Sequence, residues 1–552
     1  MSKLQPKIVS TMQDYSKEQF GKDVTAGIIV AIIALPLSIA LAISSGVSPE
    51  QGLYTAIVAG FLISLLGGSR VQIGGPTGAF MVIVYSIVAK YGVEGLTIAT
   101  IMAGVMMMAM GAMKLGGVIK YIPYPITTGF TSGIALVIFS SQVKDFLGLK
   151  TGPVPSEFIE KWRCYAEAFD TVDLTTTLIG LLALLIIVFW PKVNKKIPGA
   201  LIALVLTAAI VKVFNLDVAT IGTKFGELSS APPKLIVPGF SLERVKDLIA
   251  PAFTIAILGS IESLLSAVVS DGMIGGKHRS NMELIAQGVA NVASGFFGGI
   301  PATGAIARTV ANIKNGGRTP VAGMVHALTL LLILVVFMPY AKMIPLASLA
   351  AVLIVVAYNM SEWREFKKLF YSPKSDILVL LTTFFITVII DLVKAIEIGM
   401  ILAAFLFMKR MSEVSNVNVD NFDASEGDTV HIEENKRLKG VRNIQVYEIN
   451  GPFFFGAADK FLNALGELSS DTEVLIVRMR NVPSMDATAL HAFRRMTEIC
   501  KRRHIRILVS GMNSQPLSVV KNAGLYDFVG EEYFFAAECD AVDYALAHFG
   551  NQ

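Results

Sequence analysis

The chain has 552 residues, of which 53% are apolar and only 16% charged, and its mean hydropathy is +0.61. A soluble domain carries about 25% charged residues, and a single core stops growing near ~250–300 residues, so lipid must cover much of this apolar surface. That excludes a disordered chain, a collagen, a coiled coil and an ordinary soluble enzyme. The net charge of +4 is too small to draw nucleic acid, and the three cysteines (Cys164, Cys500 and Cys539) lie too far apart for a disulfide framework or a zinc site.

Residues 1–22 form a polar, lysine-bearing segment (Lys3, Lys7, Lys17, Lys22) without the apolar region of a cleaved leader, so the protein is expected to insert through its own spans. Residues 23–410 read as a transmembrane domain. Spans are predicted at Val24–Ile43, Gly52–Leu66, Leu96–Met113, Ile126–Ser140, Leu174–Trp190 and Ala200–Val211. A second set is predicted at Leu248–Val269, Leu284–Phe297, Val321–Met338, Leu346–Tyr358, Ile377–Ile390 and Ala395–Met408. Two further segments, Gly78–Val88 and Gly304–Ile313, each follow a Gly/Pro-broken stretch. At 1.5 Å per residue each covers roughly half of a ~30 Å hydrocarbon layer. Non-helical backbone at that depth is tolerated only where it is buried or lines a cavity.

The two broken stretches echo each other. Gly-Gly-Pro-Thr-Gly-Ala (Gly74 to Ala79) parallels Pro-Ala-Thr-Gly-Ala (Pro301 to Ala305), and Leu-Leu-Gly-Gly ending at Gly68 parallels Phe-Phe-Gly-Gly ending at Gly299. Paired broken helices in two halves are the sequence mark of an inverted-repeat transporter. The expected membrane fold is therefore a polytopic α-helical domain of fourteen elements, a seven-plus-seven inverted repeat, with both termini on one side. Short loops on that side hold Lys114 and Lys120; Lys192, Lys195 and Lys196; Lys277 and Arg279; Lys314 and Arg318; and Arg364, Lys367, Lys368 and Lys374. The alternate short loops hold little beyond Lys90, Lys342 and Lys394. The positive-inside bias makes both termini cytoplasmic.

Residues 411–440 read as an acidic linker (Glu413, Asp420, Asp423, Glu426, Asp428, Glu433, Glu434). Residues 441–552 switch to strand–helix alternation, with strands at Ile444–Ile449, Val474–Met479 and Ile505–Ser510 and helices at Ala458–Leu468, Ala487–Lys501, Pro516–Asn522 and Asp540–Phe549. This small α/β domain has no phosphate-binding glycine loop, nucleophile elbow or clustered acid/base pair, so it is expected to bind a partner, the membrane domain or a regulator and not to catalyse.

Ionisable residues inside spans are costly and mark function by default. Glu262 lies mid-span in Leu-Gly-Ser-Ile-Glu-Ser-Leu-Leu among small residues (Gly259, Ser260, Ser263), where it can exchange a proton or help hold Na⁺. Arg308 lies in the first turns of the second half-helix. Half-helix N-termini carry free N–H groups and partial positive charge, so the starts at Thr77–Phe80 and Thr303–Ala307, with Arg308 beside them, favour a small anion. Pro36 is expected to interrupt the first span and to leave Leu37, Ser38 and Leu41 level with the half-helices. Asp391, Lys394 and Glu397 read as an interfacial ion network, Met106–Met108 as lipid-facing or packing residues, and His278 as a solvated loop residue.

Gly-Leu-Tyr-Thr-Ala at Gly52, Gly-Gly-Pro-Thr-Gly-Ala at Gly74, Tyr-Ile-Pro-Tyr-Pro-Ile-Thr-Thr-Gly-Phe-Thr-Ser-Gly-Ile at Tyr121, Ile-Glu-Ser-Leu-Leu at Ile261, Asn-Met-Glu-Leu-Ile-Ala-Gln-Gly at Asn281 and Gly-Ala-Ile-Ala-Arg at Gly304 resemble the sulfate permease (SulP) family, solute carrier family 26. The tail resembles a STAS domain, with Asp-Ala-Thr-Ala-Leu (Asp486 to Leu490) in place of the antagonists' Asp-Ser-Ser-Gly-Leu, so that Thr488 stands where those proteins carry a phosphorylated serine. The resemblance implies a core moving against a gate domain, a homodimer in the bacterial inner membrane, and substrate held between the two helix starts. Its binding positions fall on Leu37, Leu41, Thr77, Glu262, Ala305, Ile306, Ala307 and Arg308; Ser38, Gly78 and Thr303 join them as candidates from the breaks themselves. Leu37 and Leu41 stand where many animal members carry a glutamine and a phenylalanine. From Glu262 to Arg308 the wording is most similar to bacterial C4-dicarboxylate carriers of the family.

The function expected from all this is proton-coupled anion import of a C4-dicarboxylate, sulfate or bicarbonate by elevator-like alternating access. No cofactor, metal or nucleic acid is expected. Na⁺-coupled or exchange-type anion transport, nucleobase–proton symport on the same fold, an anion channel or motor, and a membrane-anchored regulatory platform are the competing readings.

Overall fold

The computed structural model describes residues 4–550 apart from 14, 118–121, 153, 156, 195–196, 240, 391, 415, 421–436, 439–440, 442, 465–467 and 470. Lys3, Lys120, Tyr121, Lys195, Lys196, Asp391, the acidic run from Asp423 to Glu434 and the last predicted turn before Leu468 therefore lie outside the described residues. The chain divides into two compact units, Met1–Met400 and Ile401–Gln552.

In the first unit a short helix α1 (Lys7–Thr11) precedes α2 (Lys17–Ser44), whose N-cap Ser16 accepts the Gln19 N–H. Pro36 does not interrupt α2: it lies inside one continuous helix, its missing donor absorbed in a closely packed bundle. Then come α3 (Pro49–Leu66), β1 (Gly74–Gly75) and α4 (Gly78–Ala112). Helix α4 joins the first half-helix to the next span across Gly92, whose φ of 71° is open to glycine and strained for other residues. They are followed by α5 (Tyr124–Leu147), the amphipathic α6 (Phe158–Glu167), α7 (Leu174–Val193), α8 (Gly199–Val213) and α9 (Ile221–Phe225).

The second half repeats the plan with α10 (Leu242–Ile274), α11 (Ser280–Phe296), β2 (Thr303–Gly304), α12 (Ile306–Lys314), α13 (Pro320–Ala341), α14 (Leu346–Met360), α15 (Trp363–Leu369), α16 (Lys374–Ile389) and α17 (Leu392–Val414). Counting the two parts of α4 separately, fourteen elements match the predicted spans and half-helices, and α1, α6, α9 and α15 are additional. Among the described residues, eight helices are long and apolar enough to cross a membrane on their own. The second half-helix begins at Ile306 and not at Gly304, because Thr303 and Gly304 are taken up in β2.

The helices pack as two sets. Helix α4 lies on α10 and α11, and α13 on α2 and α3, while α5 packs on α14 and α16 and α7 on α8 and α14. Small residues bring α4 and α11 into backbone contact: a Cβ on Gly104 would stand 2.6 Å from the Gly288 carbonyl oxygen, and one on Gly288 would stand 2.5 Å from that of Gly104. Between membrane helices such close approach supplies dispersion where no hydrophobic gain is available. Met107 is fully buried beside this contact, as the packing reading of the methionine run expects.

His278 departs from its predicted solvated loop. Its side chain is 6% exposed, Nδ1 meets Asp271 Oδ2 at 2.7 Å and Nε2 meets Ser280 Oγ at 2.9 Å. The N-terminal segment lies on the same loop, with Lys7 Nζ donating to the Lys277 carbonyl at 3.0 Å and Arg279 Nη1 to the Gln5 carbonyl at 2.7 Å. Lys394 and Glu397 are exposed and, among the described residues, make no ion pair with each other, so the predicted ion network is not formed by these two.

In the second unit β3 (Asn416–Asp420), β4 (Ile444–Asn450), β5 (Val474–Arg478), β6 (Arg506–Ser510) and β7 (Phe534–Phe535) form one sheet in that order, with β3 antiparallel to β4 and the rest parallel. The segment read as a linker thus supplies the last turn of α17 and an edge strand. Helices α18 (Phe455–Ala464), α19 (Ala487–Arg502), α20 (Ser514–Asn522), α21 (Leu525–Val529) and α22 (Glu538–Phe549) surround the sheet, with a separate apolar cluster on each face. Asp486 caps α19, accepting the Ala489 N–H at 2.8 Å, and Thr488 is exposed in its first turn. All three cysteines are free. Cys500 is buried in this domain, and burial pushes its thiol up to about 12, away from reactivity.

The α4–α11 contact is directly testable. Gly288→Leu forces a side chain into the Gly104 backbone and is expected to cost about 1–3 kcal/mol, measured as a lower midpoint of thermal unfolding for the purified protein, whereas Leu at the open Gly272 position leaves the midpoint unchanged.

Candidate functional site

The two interrupted stretches meet at the middle of the bundle. Strands β1 and β2 pair antiparallel, Gly74 with Gly304 and Gly75 with Thr303, and α4 and α12 begin immediately beyond them. Each helix start leaves N–H groups with no acceptor inside its helix, so two partial positive charges face one region.

Side chains from neighbouring helices hold the crossing. From α10, Ser263 Oγ shares a hydrogen bond with Thr303 Oγ1 at 2.6 Å and accepts the Gly304 N–H at 3.1 Å. Gln72 Nε2 donates to the Ser263 carbonyl at 2.8 Å, filling the space where a side chain on Gly304 would stand. Thr309 Oγ1 accepts the Ile73 N–H at 3.1 Å, and the Ala305 N–H donates to the Ile73 carbonyl at 2.9 Å. From α11, Asn291 donates to the Ala302 carbonyl at 2.9 Å and accepts the Ala302 N–H at 2.8 Å, which repeats a backbone pairing with one side chain.

Into this frame the structure brings Thr77, Glu262, Thr303 and Arg308. Thr77 Oγ1 donates to Glu262 Oε2 at 2.9 Å across the two halves of the chain. Arg308 is 2% exposed; Nη2 donates to the Pro76 carbonyl at 2.9 Å, and Nη1 has no hydrogen-bond partner among the described residues. Gly75 makes room for that guanidinium, since a Cβ there would stand 2.2 Å from Nη1. Arg308 and Glu262 form no ion pair, and Arg308 stays buried without snorkelling to a surface. Among the described residues the Glu262 carboxylate thus has one hydroxyl donor and no bonded cation.

The remaining candidates are distributed around these four. Gly78 heads α4, where a Cβ would stand 2.8 Å from the Ile138 Cδ1 and 3.1 Å from the Met360 sulfur. Ala305 is 7% exposed, and Ile306 and Ala307 are exposed at the head of α12. Leu41 belongs to the large apolar core that includes Phe80, and Leu37 packs against it half-buried. Ser38 is fully buried with Oγ unpaired among the described residues, and its carbonyl approaches Gly52 where α2 crosses α3.

Sequence reading passed over Ser263, Gln72, Thr309 and Asn291 as functional, although polar side chains within or beside apolar spans were the signal available for them. It also stopped one residue short of Asp23, a fully buried carboxylate that accepts the Thr319 hydroxyl at 2.6 Å and the Arg318 N–H at 2.8 Å. Glu283, likewise fully buried, accepts the Gly68 N–H at 2.7 Å, the Ser69 N–H at 3.0 Å and the Gln287 amide at 2.9 Å. Among the described residues no group of three His, Cys, Asp or Glu side chains is placed to hold a metal ion.

Comparison with known proteins bears on this arrangement. Residues 20–383 match the sulfate permease family, and residues 435–541 match the STAS domain. The chain is 41% identical over 526 residues to YvdB of Bacillus subtilis (strain 168), whose name points to sulfate, covering 94% of this chain and 97% of the relative. It is 32% identical over 509 residues to the bicarbonate transporter BicA of Picosynechococcus sp. (strain ATCC 27264 / PCC 7002 / PR-6), covering 89% of each. In fold it is similar to the murine solute carrier 26 family member A9 anion transporter in the inward-facing state, with a TM-score of 0.87 at 18% identity over 99% of this chain and 94% of that one.

Asn291→Leu removes both partners of Ala302. Each unpaired buried group costs about 1–3 kcal/mol, so a drop in thermal midpoint is expected, along with disturbance of the β1–β2 crossing that Asn291→Gln only partly relieves.

Proposed function

Since the chain belongs to the sulfate permease family, we propose that it is a secondary active transporter that imports a small oxyanion in symport with a proton. One observation carries the reading: the antiparallel crossing of β1 and β2 sets two helix starts head to head with a buried guanidinium whose Nη1 is left without a protein partner. Anions are favoured at helix N-termini, and a buried arginine is most stable when its donors are used. The anion would take up that nitrogen and the free N–H groups at Gly78 and Ile306.

Sulfate and bicarbonate are the substrate classes we favour, since the names of YvdB and BicA point to them. A C4-dicarboxylate, which the wording around Glu262 resembles, is the alternative. Glu262 is the coupling group of this reading. Its single hydroxyl donor comes from Thr77, at the head of the helix that would hold the anion, so exchange of a coupling ion at the carboxylate and occupancy of the helix start share one hydrogen bond. Movement of the α2–α4 and α10–α13 set against the α5–α8 and α14–α17 set would alternate access by an elevator-like step. We place the protein as a homodimer in a bacterial inner membrane with both termini cytoplasmic, by the lysine and arginine bias of its loops, and assign the STAS domain a protein partner.

The test is uptake of labelled sulfate, bicarbonate and succinate into proteoliposomes under imposed pH or Na⁺ gradients, for wild type and Glu262→Gln. Saturable uptake of an inorganic oxyanion driven by an inward proton gradient is expected, reduced roughly tenfold or more in Glu262→Gln, the scale of losing one hydrogen bond to a charged group. A requirement for Na⁺ would make Glu262 a sodium ligand, preference for succinate would move the substrate to dicarboxylates, and absence of gradient-driven uptake would overturn symport.

A further inference from the structure

A cavity of about 270 Å³ lies at the end of the bundle where α2 finishes, enclosed by the ends of α2, α4 and α5, by α6 and by α9. Its walls carry three lysines, Lys144, Lys161 and Lys224, against one carboxylate, Asp145. Lys161 is 7% exposed and, among the described residues, has neither an ion pair nor a side-chain hydrogen bond. Burial holds its ammonium below the usual lysine range, with no carboxylate acting to restore it. Among the described residues Lys144 reaches only the Thr151 carbonyl, at 3.5 Å. Lysine side chains are rarely this buried unless their charge is paired, and among the described residues no carboxylate pairs with Lys161.

Two hydrogen bonds join its walls in this conformation. Trp162 Nε1 donates to Ser140 Oγ at 3.1 Å and pins α6 to α5, while the Tyr85 hydroxyl donates to the Val154 carbonyl at 3.0 Å and holds the connecting loop over the opening. Met81, one helical turn beyond Gly78, forms part of the wall, so the cavity lies on the same half-helix whose start heads the transport site.

We propose that this cavity is a second anion site, in which Lys161, supported by Lys144 and Lys224, binds a small oxyanion apart from the Thr77–Arg308 site. The excess of two positive charges attracts the anion, and the ion supplies the counter-charge that the protein does not provide for Lys161. The site concentrates anion beside the head of α4. Its ligand class rests on the oxyanion reading above, but its existence does not depend on transport.

The test is calorimetric titration of sulfate into the full-length protein in lipid nanodiscs, using Arg308→Gln to remove the transport site. Arg308→Gln is expected to retain one sulfate site. Adding Lys161→Gln weakens that site about tenfold or more, the scale of losing a hydrogen bond between charged partners, and adding Lys161→Arg instead retains it. If Lys161→Gln lowers the thermal midpoint, Lys224→Gln, exposed at the rim, serves in its place and weakens binding to a smaller degree. Loss of all sulfate binding in Arg308→Gln, or sulfate affinity unchanged by both lysine substitutions, overturns the proposal. Sulfate binding that depends on Lys161 in a protein showing no gradient-driven uptake would uphold this site and sink the symport reading instead.

Discussion

Backbone that is neither helix nor sheet cannot leave polar groups facing hydrocarbon, where each unpaired group costs several kcal/mol. The central crossing of this protein is built around that constraint. Two strands of two residues each supply very few bonds to each other, so carboxamides and hydroxyls from three surrounding helices complete the pairing. Asn291 imitates a strand for Ala302, Ser263 serves both Thr303 and Gly304, Thr309 serves Ile73, and Asn312 donates to the Val71 carbonyl at 2.9 Å. The glycines follow from the same demand. Gly304 and Gly317 lack side chains because the amide groups of Gln72 and Asn312 already occupy that space.

Three carboxylates of the membrane domain divide into two kinds by the donors they receive. Asp23 joins α2 to the start of α13, accepting from Arg318, Thr319, Tyr15 and Gln19. Glu283 secures the turn after α3 through two backbone N–H groups and an amide. Both are satisfied as structural acceptors. Glu262 receives one hydroxyl bond, from a residue at a helix start, which makes it the carboxylate of the three whose partner set is left open for chemistry. Arg308 is open in the same way, with one terminal nitrogen used and the other free of protein acceptors.

Much of this was legible in the order of residues. Runs of apolar residues marked the spans, and Gly/Pro breaks before Gly78 and near Gly304 marked the half-helices, because local backbone preference and hydropathy act without tertiary help. Glu262 and Arg308 were conspicuous because charges are costly within apolar spans. Reading failed where packing overrides local preference: Pro36 remains in a continuous helix, His278 is drawn out of its polar loop by Asp271 and Ser280, and Asn416–Asp420 becomes a strand because the edge of the second sheet offers a partner.

The sequence alone thus determined that the protein is a helical membrane protein with two broken helices and a separate α/β tail, since these depend on composition and on neighbours a few positions away. Only the tertiary structure decided that Gly75 would face Thr303, that Thr77 would bond Glu262, and that Lys161 would be buried with no ion pair among the described residues. Those pairings join residues far apart in the chain, and they are set by which helix lies against which, a choice that no local propensity encodes.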